Sequence, residues 1–123
     1  MMLSSNLGYP RIGPNRELKW LLESFWKKKI NKTNLFENIS DIKKNNWIKQ
    51  KKAGIHFIPS NDFSLYDHVL DMCLTVNAVP DRFKKLKNKK NKLDLYFAMA
   101  RGYQSGRIDI KAMEMTKWFD TNY

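Results

Sequence analysis

The chain has 123 residues, of which 42% are hydrophobic and 13% are aromatic. At roughly 100 to 200 residues per domain, this length holds one domain or part of one and excludes two. No run approaches the roughly 18 consecutive apolar residues of a membrane span, so we expect a soluble protein. The one cysteine, Cys73, excludes an intrachain disulfide. Because the first residues show no secretory leader pattern, we expect a cytoplasmic protein.

The net charge of +11 is distributed unevenly. Six lysines lie between residues 84 and 92, where there is no acidic residue, and they supply over half of the excess. No aromatic residue is interleaved with them, so this stretch is predicted to be a solvated surface loop rather than a nucleic-acid site. A small basic α/β module that binds nucleic acid remains the alternative function.

The first half of the chain predicts a strand, two helices and a second strand. A semi-apolar run over residues 3–7 leads into glycines and prolines, and then into apolar residues at helical spacing. A second helix is predicted to follow the capping residues Asn31 and Thr33 and to stop at Gly54, before a short buried strand over residues 55–58. The buried stripe of the first helix is expected to comprise Leu18, Leu21, Leu22, Phe25 and Trp26.

The second half predicts two helices and one strand. Ser64 is expected to cap a helix, with Asp67 completing the capping box. A further short helix is predicted to end at Gly102, followed by a loop over residues 105–109 and a last strand over residues 115–119. The inner face of the helix after Ser64 is expected to comprise Leu65, Val69, Met72, Cys73 and Val76.

This order of elements predicts an α/β protein. Strands that alternate with helices are typical of βαβ units with a parallel sheet. A complete (β/α)8 barrel takes about 250 residues, so three strands would supply under half of one. The pattern leaves two architectures open, a small open sheet and part of a barrel.

The segment between the first strand and the first helix carries the clearest signal of a site. It has the sequence LGYPRIGPNRELK over residues 7–19. Glycine amides, the positive end of the helix dipole, Arg16 and Lys19 could converge there on a phosphate or carboxylate group. The other interpretation is an ordinary turn with solvated charges, which the spacing alone favours. Neither a phosphate-loop nor a dinucleotide-binding fingerprint is present.

A second polar loop, with Ser60, Asn61 and Asp62, follows the second predicted strand. Because the carboxyl ends of parallel strands meet at one edge of a sheet, we expect this loop to share a face with the first. The alternative is that Asp62 and Ser64 only cap the next helix, which explains Ser64 fully.

The sequence favours neither a metal site nor a nucleophile. His68 and Cys73 lie about 140° apart around one helix. Two histidines and one cysteine give no zinc spacing, and a cysteine on an apolar stripe is typical of a core residue. We therefore predict no catalytic residue and no metal ligand in this chain.

Several segments of the chain resemble one enzyme family. They are similar, in order and spacing, to the amino-terminal part of cobalamin-independent methionine synthase. The similarity covers nearly the whole chain and is loosest in the lysine-rich stretch and the first two helices. The segments are LGYPRIGPNRELK, NWIKQKKAGIHFIPSNDFSLYDHVLD, AVPDRF, YFAMARG and AMEMTKWFDTNY.

The resemblance implies an activity and a fold. Members of the family transfer the methyl group of 5-methyltetrahydropteroyltri-L-glutamate to homocysteine, with two face-to-face (β/α)8 barrels and a catalytic zinc whose ligands belong to the carboxyl-terminal barrel. This implies that residues 1–123 are an amino-terminal fragment, about the first three βα units of the folate-side barrel, and that the fragment alone is inactive. The full-length enzyme is expected to be a monomer, with no nucleic-acid or membrane partner.

The resemblance also implies a set of substrate-binding residues. Fixed cations suit a polyanionic glutamate tail, which agrees with the anion site expected from the first loop. The positions that match the family's polyglutamate site are Arg16, Glu17, Leu18, Lys19 and Lys117.

Overall fold

Residues 2–113 are described by the computed structural model of the chain, and they divide into two units between Leu65 and Tyr66. No helix in this range is long and apolar enough to cross a membrane. The combination of helices with a two-stranded sheet confirms the α/β class. The helices are α1 (Glu17–Trp26), α2 (Lys32–Lys52), α3 (His68–Thr75), α4 (Lys84–Lys87) and α5 (Lys92–Arg101), with a 3-10 turn at Asp81–Phe83, and the strands are β1 (Tyr103–Ser105) and β2 (Ile108–Ile110).

The first unit contains α1 and α2, which pack on each other. Leu18 and Leu22 of α1 are buried, and so are Leu35 and Ile39 of α2. Leu18 and Leu22 belong to the predicted buried stripe of α1, because apolar side chains three and four positions apart fall on one side of a helix. That stripe is confirmed at these two residues, whereas Leu21, Phe25 and Trp26 are half-buried.

The boundaries of α2 lie where they are predicted. The Asn31 side chain caps the helix by accepting a hydrogen bond from the Asn34 amide at 2.8 Å. Thr33, the other predicted cap, lies inside the helix. At the far end Gly54 has a φ of 82°, the left-handed conformation that commonly follows a helix.

The two predicted strands of the first unit are reduced to one parallel bridge, between Ser5 and Phe57. The Phe57 amide donates to the Ser4 carbonyl at 3.0 Å. Phe57 is 61% exposed, so the prediction of a buried strand over residues 55–58 is wrong. A parallel strand is buried on both faces only where other elements cover both sides of its sheet, and the exposed Phe57 shows that one side is uncovered within residues 2–113.

A partly buried polar contact joins the first segment to α2. Asn6 Nδ2 donates to Gln50 Oε1 at 2.8 Å, and Gln50 Nε2 donates to the Asn46 carbonyl at 3.1 Å. Gln50 is only 4% exposed. The sequence gives no signal for this contact, because glutamine is usually a surface residue.

The second unit is organised around α5, which is buried from Leu95 to Ala100. Both α3 and α4 contact it. The Tyr96 hydroxyl accepts hydrogen bonds from the amides of Tyr66 and Asp67, at 2.9 and 3.2 Å, and so holds the start of α3 against α5. The helix ends at Arg101 with Gly102 following, as predicted.

The start of α3 differs from the prediction. Asp67 caps this helix by accepting a hydrogen bond from the Leu70 amide at 2.8 Å. Ser64 lies outside the helix and is 2% exposed. The capping-box assignment is therefore wrong, because the N-cap residue of α3 is Asp67 and not Ser64.

The predicted inner face of α3 is also wrong. Leu70 is buried, whereas Val69, Met72 and Val76 are 69%, 56% and 62% exposed. Apolar residues lie on several sides of this short helix, so their spacing cannot show which side contacts α5. The outcome leaves an apolar surface on the described part of the second unit.

The predicted surface loop over residues 84–92 is wrong at its start. Residues 81–87 are helical, and Phe83 and Leu86 are 0% and 3% exposed. The neighbouring Lys84 and Lys85 are exposed. Only two apolar residues mark the buried side of this segment, which is too few for a period to be recognised.

A hairpin replaces the loop predicted over residues 105–109. β1 and β2 pair antiparallel, with Gln104 opposite Asp109. Gly106, with a φ of 57°, lies in the turn. The predicted last strand, residues 115–119, lies outside the described residues.

Candidate anion-binding site

Two loops of the first unit meet at the candidate site: the entry loop, residues 7–16, and the second loop, residues 60–64. Asp62 Oδ2 accepts a hydrogen bond from the Tyr9 amide at 2.8 Å. Arg11 Nη1 donates to the Ser64 carbonyl at 3.2 Å. The expectation that the two polar loops share a face is confirmed by these contacts. Asp62 binds the entry loop and does not cap a helix.

The two loops come close together at Gly8. A Cβ atom at this position would lie 2.7 Å from Asp62 Oδ2 and 2.8 Å from Asp62 Cβ. The φ of Gly8 is 142°, a conformation that side chains rarely allow. Glycine is therefore required here both by the backbone angle and by the proximity of Asp62.

A tight turn closes the entry loop before α1. The Arg16 amide donates to the Gly13 carbonyl at 3.1 Å. Glu17 Oε2 accepts a hydrogen bond from the Asn15 amide at 3.1 Å and lies in the space that a Gly13 side chain would occupy. The Glu17 carboxylate is thus engaged by the turn.

Arg16 presents a cation at the start of α1. Its φ of 58° and ψ of 38° are left-handed, which is uncommon for a residue with a side chain. The residue is exposed, and within residues 2–113 its guanidinium makes no hydrogen bond or ion pair. An uncommon backbone conformation that carries a charged group with no partner within residues 2–113 is consistent with a binding role.

Lys19 adds a second cation three residues further on. Its ammonium lies 5.0 Å from the centroid of the Trp20 ring, an aromatic neighbour that leaves the positive charge in place. The amides of Glu17 and Lys19 donate no hydrogen bond to any described residue, as is usual in the first turn of a helix. Two cations and two amide donors at the positive end of α1 suit a carboxylate or phosphate ligand.

The remaining residues of the predicted set differ in position. Leu18 is 0% exposed, so only its backbone could contact a ligand. Lys117 lies outside the described residues. The structure therefore places Arg16, Glu17, Leu18 and Lys19 together at one helix start and leaves the location of Lys117 open.

Several lysines of the lysine-rich stretch, residues 84–92, contact nearby side chains. The Lys84 ammonium lowers the pKa of the Asp81 carboxyl through its hydrogen bond and its charge. These contacts are typical of a folded surface and do not by themselves form a ligand site. They are Lys84 Nζ to Asp81 Oδ1 at 2.6 Å, Lys87 Nζ to Asn77 Oδ1 at 2.6 Å, and Lys90 Nζ at 4.8 Å from the Tyr103 ring centroid.

The described part of the chain shows no arrangement of side chains suited to metal binding or to nucleophilic catalysis. No three His, Cys, Asp or Glu side chains within residues 2–113 lie close enough to share a metal ion. His56 Nδ1 lies 2.8 Å from Ser4 Oγ, but no carboxylate in that range is hydrogen-bonded to the ring. The pair lacks the group that orients the histidine in a catalytic triad.

A family comparison decides what this chain is related to. The family model described as cobalamin-independent synthase, N-terminal domain, matches residues 3–123. The chain belongs to this family. The resemblance identified from the sequence segments is confirmed.

Individual cobalamin-independent synthases are similar along the whole chain. A 5-methyltetrahydropteroyltriglutamate–homocysteine methyltransferase of Cytophaga hutchinsonii is 56% identical over 124 residues, covering 99% of this chain and 16% of that protein. Proteins of the same name are 48% identical over 129 residues in Saccharomyces cerevisiae and 44% identical over 149 residues in Dictyostelium discoideum, each covering 100% of this chain and 17% and 18% of the relative. The chain thus spans about one sixth of the length of these curated relatives. The comparisons do not support the nucleic-acid-binding alternative.

Two features of the candidate site are missed by sequence reasoning. One is the hydrogen bond from Arg11 to the second loop, and the other is the contact of Glu17 with the turn at Gly13. Gly13 is a signal for the second feature only, because a glycine leaves room for a neighbouring side chain. The sequence does not show which side chain occupies that room.

Proposed function

We propose that the chain is the amino-terminal part of an enzyme that transfers a methyl group from 5-methyltetrahydropteroyltri-L-glutamate to homocysteine, and that it contributes to binding the glutamate tail. The observation that carries this proposal is the Arg16 guanidinium, which has no partner among the described residues at the start of α1. The names of the relatives support it, because they specify a triglutamate substrate.

The tail carboxylates would be held by charge and by backbone donors. Arg16 and Lys19 supply fixed positive charge, and the free amides of Glu17 and Lys19 can donate hydrogen bonds to the same anion. The Glu17 carboxylate accepts a hydrogen bond from the Asn15 amide, which holds the carboxylate at the turn beside Gly13. Lys117 is proposed as a further cation for this tail.

We also propose that residues 1–123 form about the first three βα units of a (β/α)8 barrel. The parallel bridge between Ser5 and Phe57 supports this, because α1 and α2 lie between its two segments in the chain. Parallel segments joined by a helical crossover are the repeating unit of such a barrel.

Zinc is proposed for the full-length enzyme only. We propose that its ligands lie in the carboxyl-terminal barrel, as the resemblance to the family implies. Residues 2–113 hold no group of three His, Cys, Asp or Glu side chains that could bind a metal ion. A bound zinc ion would supply a deprotonated homocysteine thiol as the methyl acceptor. The role proposed for this chain is to hold the other substrate, and alone it is expected to be inactive.

The proposal is tested with a segment-exchange enzyme, in which residues 3–123 of this chain replace the matching segment of the Cytophaga hutchinsonii relative. We expect it to form methionine from the triglutamate substrate and homocysteine at a rate comparable to the parent enzyme, measured as methionine produced over time. The matched control is the same exchange with Arg16→Ala and Lys19→Ala. A folded hybrid that retains zinc but does not turn over would contradict the proposal.

A further inference from the structure

We propose that Asp62 is a positioning residue for the glutamate-tail site, an inference that rests on the proposed function. The carboxylate fixes the entry loop through the Tyr9 amide and thereby sets where Arg16 and Lys19 are presented. Asp62 is not expected to contact the substrate, because a carboxylate has the wrong charge for binding a glutamate tail.

The contact between Asp62 and the entry loop is specific. Asp62 Oδ2 accepts from the Tyr9 amide at 2.8 Å across 53 residues of sequence, and this contact is partly buried. Gly8 leaves the space that the Asp62 side chain occupies, since a Cβ atom at position 8 would overlap that side chain. A hydrogen bond in which an ionised carboxylate oxygen accepts a backbone N–H is stronger than one between neutral groups.

The entry loop connects the contact at Asp62 to the positions of Arg16 and Lys19. Pro10 and Pro14 restrict the backbone between Tyr9 and Arg16, and the Gly13 carbonyl accepts the Arg16 amide at 3.1 Å. With one end of the loop fixed by Asp62 and the other by α1, little of its freedom remains to be lost when a ligand binds. Loss of the first anchor would raise the ordering cost of binding.

The same reasoning explains why the effect should depend on the substrate. The loop presents the groups that are proposed to hold the glutamate tail, so a loosened loop weakens binding of the distal carboxylates. A monoglutamate substrate lacks these carboxylates and should be nearly insensitive. Because tail binding is expected to be equal in the ground and transition states, kcat should remain unchanged.

The test uses the segment-exchange enzyme with Asp62→Ala, Asp62→Asn and the control Asp41→Ala. Asp41 is an exposed carboxylate on α2 with no described partner, so the same truncation there should change nothing. We expect Asp62→Ala to raise KM for the triglutamate substrate about three- to tenfold, the effect of one lost hydrogen bond, with KM for the monoglutamate substrate nearly unchanged. Asp62→Asn retains an acceptor oxygen and should restore most of the loss.

Several results would overturn this role of Asp62. Equal rises in KM for both substrates with a lower melting temperature would show a merely structural residue. An unchanged triglutamate KM in Asp62→Ala would also contradict the positioning role. So would an Asp62→Asn variant that is as impaired as Asp62→Ala. These outcomes are separate from failure of the proposed function, which appears as an unchanged triglutamate KM in the Arg16→Ala and Lys19→Ala variants.

Discussion

Replacing Phe83 by alanine should lower the free energy of unfolding of the second unit by about 3 to 5 kcal/mol, the cost of a cavity left by a buried phenylalanine. Phe83 is 0% exposed and ends the 3-10 turn that leads into α4. Since α4 packs on α5, the cavity should loosen the buried stretch from Leu95 to Ala100. Amide hydrogen exchange across α5 in the segment-exchange enzyme measures this loss, because exchange of protected amides reports the local free energy of opening.

The matched control for Phe83→Ala is the same truncation at Phe36, which is 43% exposed on α2. Surface substitutions usually change stability by about 0.5 kcal/mol or less, so Phe36→Ala should leave exchange in α2 nearly unchanged. If Phe83→Ala left the exchange of α5 at its original rate, the buried helical segment within the lysine-rich stretch would be refuted.

Replacing Leu18 by alanine should destabilise the first unit by about 2 to 5 kcal/mol. Leu18 is 0% exposed where α1 packs on α2, and its amide donates to the Ile12 carbonyl at 3.1 Å. The cavity should reduce protection of the α1 amides from exchange, and KM for the triglutamate substrate should rise because the helix start is no longer fixed. Leu18→Met conserves most of the volume and should cost less than about 1.5 kcal/mol.

The outcome of Leu18→Ala separates an indirect role from a direct one. A core residue affects substrate binding only through the stability of the fold. Affinity for the triglutamate substrate and stability should therefore both fall in Leu18→Ala, and both should recover in Leu18→Met. Native exchange rates combined with a large rise in KM would instead indicate that the side chain contacts the substrate, which its burial does not allow.

Sequence spacing predicts the helices of this chain where one apolar face is long and unambiguous. The face of α1 is confirmed at Leu18 and Leu22, where successive turns repeat the pattern. The prediction is wrong for α3, where apolar residues lie on several sides of the helix, and for the turn at Phe83, where two apolar residues are too few to define a direction. The hairpin β1–β2 is missed because each strand has three residues, too few for alternation to be visible.

The candidate site was predictable as a region and less so in its contacts. Arg16 and Lys19 follow a glycine-rich turn, and that order is sufficient to place two cations at a helix start. The bond between Asp62 and the Tyr9 amide joins residues 53 positions apart. Such a contact depends on tertiary placement, which neither propensity nor spacing specifies, so the sequence could indicate only that the two loops share a face.

The most direct test of the account compares KM for triglutamate and monoglutamate substrates in the segment-exchange enzyme carrying Lys19→Ala or Lys117→Ala. Each lost charge-assisted contact is worth about 1.5 to 3 kcal/mol, so KM for the triglutamate substrate should rise about tenfold or more. The monoglutamate substrate lacks the distal carboxylates and should lose much less, while kcat and zinc content stay unchanged. Equal losses for the two substrates would contradict the assignment of this segment to the glutamate tail.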